Sequence, residues 1–411
     1  MIVTERLHPH VFRLPIEKIR AGYKSDIYFA RTKLILEADG RRDRVTMQIF
    51  QKHPDAVVVG TDQTLALLHV GAGRYRDARR ADALFERYLV AERRMYETWL
   101  ALPRIAWEGY EPIAREVFEI SRELASLWEP AWQDLRVTSL VDGEVAQPGE
   151  PVMHIEGEYA AFSHLETLYL GALSEGTRVA TNTRDVVAAA RGKPVIMFGA
   201  RHQGHEAQAS SGYAAYVGGA IGVSTDEQGE WWGSRGLGTV PHALIAVYGG
   251  DTTVATLKFD EYINRAPESV GHLTAKGTPE GHVNVTALVD FQNDVVNTSL
   301  GVAHASASAS GGCASTRPRR SSTRRCSISC ASRTASPGAP TCAASRRSSC
   351  RSYAPRSMTP ATATCASSPR AASTRRRSGA SKRSASRSTC TASALRWCTA
   401  KASTTPPTSS A

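Results

Sequence analysis

The first 312 residues of this 411-residue chain contain no cysteine, and the last 108 contain no aspartate or glutamate. The first absence removes disulfides and thiolate metal ligands from the body of the protein. The second leaves the end of the chain with 19 Lys and Arg and no acid to balance them. Of 50 basic residues, 31 precede His304, against all 39 acids. The formal charge of +11 therefore averages an acidic body and a basic end. An acidic body offers nucleic acid no electrostatic footprint, so none is expected as a partner.

Long apolar runs are missing as well. The strongest, around LETLYLGAL, is too short and interrupted to span a bilayer, and MIVTERLHPHVFRLP lacks the apolar core of a signal peptide. The expectation is a soluble, cytoplasmic protein without membrane partners. All eight cysteines lie between Cys313 and Cys398 at irregular spacings with no CxxC pair, which supports neither a zinc site nor a disulfide framework. The GxGxxG dinucleotide fingerprint is absent too.

The remaining residues show a clear rhythm. The second half of LPIEKIRAGYKSDIYFARTKLIL has the apolar spacing of a helix. Residues 75–132, rich in Arg, Glu, Leu and Ala, read as two or three amphipathic helices broken near Pro103 and Pro112. LRVTSLVDGEVAQPGEPVMHIEGEY alternates between Gly and Pro punctuation, as a small antiparallel sheet does. From Ala161 onward helix-like stretches alternate with short apolar runs, PVIMF and VNVTALVDF, which read as buried parallel strands. That alternation predicts an α/β barrel or a doubly wound sheet, with chemistry at the carboxyl ends of its strands.

Those ends carry four groups. FGARH sets the flat face of Phe198 beside the planar cation of Arg201, a pairing suited to a planar anionic ring. The plainer alternative is a core Phe and a surface ion pair. GSRGLGTVPH brings glycines and His242 to a helix entrance, where backbone N–H groups favour a phosphate, or where a Gly-rich turn merely precedes a satisfied histidine. Ser224 and Thr225, followed by Asp226, could hold phosphate or cap a helix, the commoner role. Asp290 ends the last apolar run.

The ordered set is more specific than its parts. YKSDIYF, VDGEVAQPGEPVMHIEG, HLETLYLGAL, VATNTRDVVAAARGKPVIMFGARH, GYAAYVGGAIGVST, GLGTVPHALIA and LVDF resemble, in that order, the motifs of nicotinate phosphoribosyltransferases. The resemblance covers most of residues 10–303, least in 75–130. It implies a type II phosphoribosyltransferase fold: an N-terminal α/β domain over 1–165, with the helical segment 75–130, and an irregular α/β barrel half over 166–303 that carries the active site. It implies a homodimer with shared active sites, and a reaction of nicotinate with phosphoribosyl pyrophosphate giving nicotinate mononucleotide and pyrophosphate, a step in NAD biosynthesis. Mg²⁺ would accompany phosphoribosyl pyrophosphate, and ATP would be a co-substrate through a phosphohistidine. Motif by motif, Phe198 resembles a ring-stacking residue and Arg201 a contact to carboxylate or phosphate. Asp26 and Tyr28 resemble the pair that reaches the neighbouring subunit's site. His242 resembles the phosphoryl acceptor, Ser224 and Thr225 a phosphate-side loop, and Asp290 a ribose-side residue. His202 stands where many members carry a second arginine, which leaves nicotinamide open as the alternative ring.

After Ala303 the pattern stops. The motifs expected next, close to WGVRLDTSE, SGGF and VYGVGS, are absent. Segment 304–411 is Ser-, Arg- and Ala-rich and cannot bury a core, so it reads as a disordered tail and the barrel as incomplete. A one-base displacement of the frame accounts for it. In that frame Gly311 and Gly312 permit Trp and Gly, and the codons for Cys313 to Arg319 permit Val-Arg-Leu-Asp-Thr-Ser-Glu. The same displacement permits SGGF across Arg370 to Ser373 and YGVGS across Thr391 to Leu395. A frameshift is therefore the preferred reading, and the chain as written is expected to be unstable or inactive. The rival is a dimerising scaffold whose basic tail binds RNA through phosphate contacts.

Overall fold

Residues 5–101, 107–265, 283–310 and 327–329 are described by a computed structural model. The alternation noted in the middle of the chain becomes an antiparallel sheet. The first half contributes the short helix α1 (Ile16–Arg20) and α2 (Ile27–Ala38), then strands β1 (Arg44–Phe50) and β2 (Ala56–Val57). Next come α3 (Thr61–Gly71), β3 (Gly73–Tyr75), α4 (Ala78–Ala101) and α5 (Trp107–Leu127). Strands β4 (Trp128–Pro130), β5 (Arg136–Ser139), β6 (Val145–Ala146) and β7 (Pro151–Glu158) complete it.

The main sheet has the order β1-β7-β5, all antiparallel, with Met47 opposite Ile155 and Val137 also opposite Ile155. Side chains alternate across the pleat, so Met47, Ile49, Met153 and Ile155 are buried. Leu67 and Leu68 of α3 and Phe162, Leu165 and Tyr169 further along complete this core. Burying Phe162 alone is worth about 1.5–3 kcal/mol. Gly60 makes the turn into α3 in the left-handed region, φ +107°, and a Cβ there would stand 2.6 Å from the Ala172 carbonyl oxygen. A side chain at residue 60 would push α3 away from its neighbour.

Segment 75–132 forms two long helices, as its periodicity predicts. They pack through Leu84, Tyr88, Ile120 and Leu124. The break predicted at Pro112 does not occur: Pro112 lies within α5, at its sixth residue, where the loss of one backbone hydrogen bond is tolerated. Pro103 lies outside the described residues.

The second half runs through α6 (Tyr159–Phe162), α7 (Glu166–Ala189), β8 (Ile196–Met197), α8 (Gln208–Val217), β9 (Gly222–Val223) and α9 (Asp226–Gly229). It continues with α10 (His242–Val247), α11 (Thr252–Asp260), β10 (Thr286–Leu288), α12 (Val295–Ser310) and β11 (Ser327–Ser329). Here the pairing is parallel: β8 with β9, and β10 with β11. The stretch 236–240 joins the two pairs. Gly236 bridges Val223 and Val240 bridges Ala287, both in parallel, through Leu237 N–H to Val223 O (2.7 Å) and Val240 N–H to Thr286 O (2.8 Å). The described residues thus hold one parallel run, β8, β9, 236–240, β10, β11, alternating with helices. The α/β class is as expected.

One strand departs from its prediction. PVIMF is parallel but not buried: Ile196 and Phe198 stand 39% and 45% exposed, because β8 pairs on one side only among the described residues. VNVTALVDF, flanked on both sides, does bury Ala287 and Val289 completely. Contrary to the expected disordered tail from residue 304, His304–Ser310 continue α12; the rest of the tail lies outside the described residues except for Ser327–Ser329. No described helix is long and apolar enough to cross a membrane.

Candidate active site at the parallel strand ends

The parallel run delivers each candidate at a carboxyl end, because each follows its strand directly. Phe198 follows β8 and begins a 3-10 turn over Gly199–His202 that carries Arg201 and His202 into solvent. Arg201 has no ion-pair partner among the described residues, so its guanidinium is available. The surface ion pair of the plainer reading is absent there.

Ser224 and Thr225 follow β9. The capping role holds for Thr225, whose hydroxyl accepts from Gln228 N–H (3.2 Å) and donates to Gln208 Oε1 (2.9 Å). Ser224 gives both its N–H (3.2 Å) and its hydroxyl (3.0 Å) to Gln228 Oε1. Gln228 is wholly buried and thus fixes the loop. Gly212 lets α8 lie against it, since a Cβ at residue 212 would meet the Gln228 carbonyl oxygen at 2.1 Å. Gln228 went unnoticed in the sequence. Its one signal was the four-residue spacing from Ser224, which many surface pairs share.

His242 opens α10 after Val240, and Asp290 follows β10. The two meet: His242 Nε2 donates to Asp290 Oδ1 at 2.8 Å. The carboxylate accepts, so Nε2 carries the shared proton and Nδ1 takes no part in the bond. That hydrogen bond holds the Asp290 carboxyl below the usual carboxylate range. The Phe291 ring flanks the imidazole, centroids 6.0 Å apart. The pair is half exposed, so a polyanion can reach it. An imidazole oriented through Nε2 presents its other ring nitrogen as a nucleophile for an electrophilic phosphorus.

Asp26 and Tyr28 do not join this edge. They sit at the start of α2, where the Tyr28 hydroxyl donates to Asp26 Oδ2 (3.1 Å) and Thr167 Oγ1 also donates to it (3.0 Å). Ser25 donates its hydroxyl to the His164 carbonyl. Glu166, 3% exposed beneath this segment, is pushed up to about 8 by burial, with the nearby Asp26 adding to the shift and a hydrogen bond from Tyr159 opposing it. Tyr28 itself is 59% exposed.

Metal donors are sparse. Among the described residues no three His, Cys, Asp or Glu side chains converge as a metal site. Asp290 is already engaged by His242.

These observations define an α/β protein with a parallel run whose strand ends carry, at separate strands, a His–Asp pair, an arginine without an ion-pair partner among the described residues and a tethered hydroxyl loop. No family model matches the chain. It is 33% identical over 122 residues to nicotinate phosphoribosyltransferase pncB1 of Mycobacterium tuberculosis, a match covering 29% of this chain and 27% of that protein. It is 32% identical over 117 residues to nicotinate phosphoribosyltransferase 1 of Arabidopsis thaliana, covering 28% and 21%. Over that stretch the chain is similar in sequence to nicotinate phosphoribosyltransferases. The matched stretch spans about a quarter of the length of these curated relatives. Among solved structures, nicotinate-nucleotide pyrophosphorylase of Pyrococcus furiosus aligns at 27% identity, covering 70% of this chain and 55% of that one, with a TM-score of 0.48.

Proposed function

We propose that residues 10–303 are the body of a nicotinate phosphoribosyltransferase of type II fold, acting in NAD biosynthesis, whose gene has slipped frame after Ala303. The observation that carries the reading is the His242–Asp290 pair at the strand ends, set where the GTVPH and LVD motifs resemble the family's. In this reading the pyridine nitrogen of nicotinate forms a bond to C1 of phosphoribosyl pyrophosphate as the C1–O bond to pyrophosphate breaks. The products are nicotinate mononucleotide and pyrophosphate. The residues orient the ring and stabilise the leaving group. Phe198 stacks on the ring, Arg201 meets its carboxylate, and the Ser224–Thr225 loop faces phosphate.

ATP enters as co-substrate. Nδ1 of His242 takes the γ-phosphoryl group, ADP leaves, and water later releases phosphate. Asp290 holds the ring so that Nδ1 is the reacting nitrogen. Mg²⁺ belongs to the phosphoribosyl pyrophosphate substrate. Asp26 and Tyr28, at the start of α2 rather than at the parallel strand ends, act across a homodimer interface. The division into 1–165, 166–303 and 304–411 is part of the same proposal, as is a cytoplasmic location.

Nicotinamide is the second ring to consider, because His202 replaces a fixed cation with a titratable one. The deciding experiment measures phosphoribosyl transfer to nicotinate and to nicotinamide, each with phosphoribosyl pyrophosphate and ATP, using a gene with its frame restored after Ala303. Turnover of nicotinate with transient labelling of histidine by γ-³²P-ATP supports the proposal. Transfer to neither ring rejects it.

A further inference from the structure

Residues 7–24 lie over the place where α3, α7 and α8 meet and leave a cavity of about 330 Å³ between them. None of Phe198, Arg201, Ser224, His242 or Asp290 lines it. Its volume is that of a small-ligand site. Three aromatic rings frame it: Phe12 and Trp231 meet edge to face at 4.9 Å, and Tyr213 stands 6.0 Å from Trp231. Leu67 and Leu168 add aliphatic wall, while Gly60 and Gly171 leave backbone at the surface. Asp142, 3% exposed, is in the same wall. Its Oδ1 accepts from the Gly60 and Thr61 N–H groups and the Thr61 hydroxyl, and the Tyr213 hydroxyl also faces this carboxyl.

Two opposite charges also line this cavity, and neither is used by the fold. Lys24 is exposed and Glu175 half-buried, and neither has a hydrogen bond or ion pair within the described residues. A simple carboxylate would meet Lys24 but face Glu175, and a simple amine would meet Glu175 but face Lys24. A zwitterion satisfies both. We propose that this cavity binds an α-amino acid with an aromatic or branched apolar side chain. Its carboxylate lies at Lys24, its ammonium at Glu175, and its side chain enters among Phe12, Tyr213 and Trp231. Ser210 and Gln63, also in the lining, can add neutral hydrogen bonds to the head group. The site shares no residue with the His242–Asp290 pair, so it stands or falls independently of phosphoribosyl transfer.

The test is calorimetric titration of the full-length chain, and of the frame-restored chain, with L-phenylalanine, 3-phenylpropionate and phenethylamine. Phenylalanine is expected to saturate a single site, and each one-charge probe to bind about tenfold more weakly or worse. K24Q and E175Q should each weaken phenylalanine by about tenfold or more while leaving the melting temperature near that of the parent. No saturation below about 10 mM would overturn the proposal, as would a one-charge probe that binds as well as phenylalanine, or two variants that bind unchanged. Should either variant fail to melt cooperatively, the comparison of the three probes on the parent chain decides alone.

Discussion

Among the described residues, the antiparallel sheet β1-β7-β5 and the parallel run divide stability from chemistry. The antiparallel sheet β1-β7-β5 rests on a core that includes Leu68, Ile155, Phe162 and Tyr169, all essentially inaccessible to solvent. The parallel run rests on two small clusters, Val240, Ile245, Ala255 and Val285 in one and Ala287, Val289 and Val302 in the other. Every candidate for transfer chemistry except Asp26 and Tyr28 stands on the poorer-packed run. Parallel strands need cover on both faces and a neighbour on each edge. Here β8 exposes Ile196 and Phe198 at one edge. Uncovering an edge of the parallel run exposes the strand ends that carry the candidates, whereas β1-β7-β5 rests on its own core.

Frame restoration should therefore produce the largest effect. A gene corrected between the codons for Leu300 and Gly312 is expected to raise nicotinate phosphoribosyl transfer by a factor of about 10³ or more over the chain as written, since positioned phosphate contacts are worth several kcal/mol in such a transition state. A steady-state assay of pyrophosphate release measures it. Equal activity of the two chains would mean that the parallel run is complete without the displaced motifs. Sequencing across those codons is the companion check.

Next comes the His–Asp pair, read in the restored chain. H242A should abolish phosphoenzyme formation. D290N should slow it about 10–100-fold by releasing the ring orientation, with the melting temperature little changed. Because its hydrogen bond to His242 lowers the Asp290 carboxyl, the pair should persist until pH falls below about 3.9, the ordinary carboxylate value. A D290N protein as active as the parent at every pH would remove Asp290 from the mechanism.

Much of this arrangement was legible in the sequence, for identifiable reasons. Periodicity located α7 and the α4–α5 hairpin, because long amphipathic segments carry many repeats of the same signal. It located β10, because an apolar run bounded by polar residues has few other uses. It failed at Pro112, where a proline early in a helix mimics a boundary. It also failed on the burial of 194–198, since an apolar run does not reveal whether its strand has one neighbour or two. The candidate residues could be named from motif order, yet the hydrogen bond between His242 and Asp290 joins residues 48 apart and has no local signal. Gln228 was invisible for the same reason: its value comes from the loop it holds.

Core truncation compares the two halves directly. F162A, in the antiparallel core, should cost about 3–5 kcal/mol. V302A, in the smaller cluster beside β10, removes less apolar surface and should cost at most about 3 kcal/mol. Urea unfolding of both variants gives the ratio. Equal losses would mean that the parallel run is as well packed as the antiparallel sheet.

The smallest effect concerns Glu166, the buried acid in the first turn of α7 beside the YKSDIYF segment. Its folded value is raised to about 8, against about 4.3 for an unfolded glutamate, so the folded state holds a proton that the unfolded state has released. Stability is then greatest below the unfolded value, falls as pH rises from about 4 to about 8, and stays level above that, where both states are ionised. Burial and two neighbouring groups set the slope. Burial keeps the acid neutral, Asp26 opposes a second negative charge, and the Tyr159 hydroxyl partly relieves it. E166Q keeps the shape and removes the titration. Its melting temperature should lose less between pH 5 and pH 8 than that of the parent, and the two curves should lie nearest at the acid end. Parallel curves across that range would mean that Glu166 is ionised in the folded protein. The acid beneath Asp26 would then be charged at neutral pH, and the segment would be held by its hydrogen bonds to Thr167 and His164 against that repulsion.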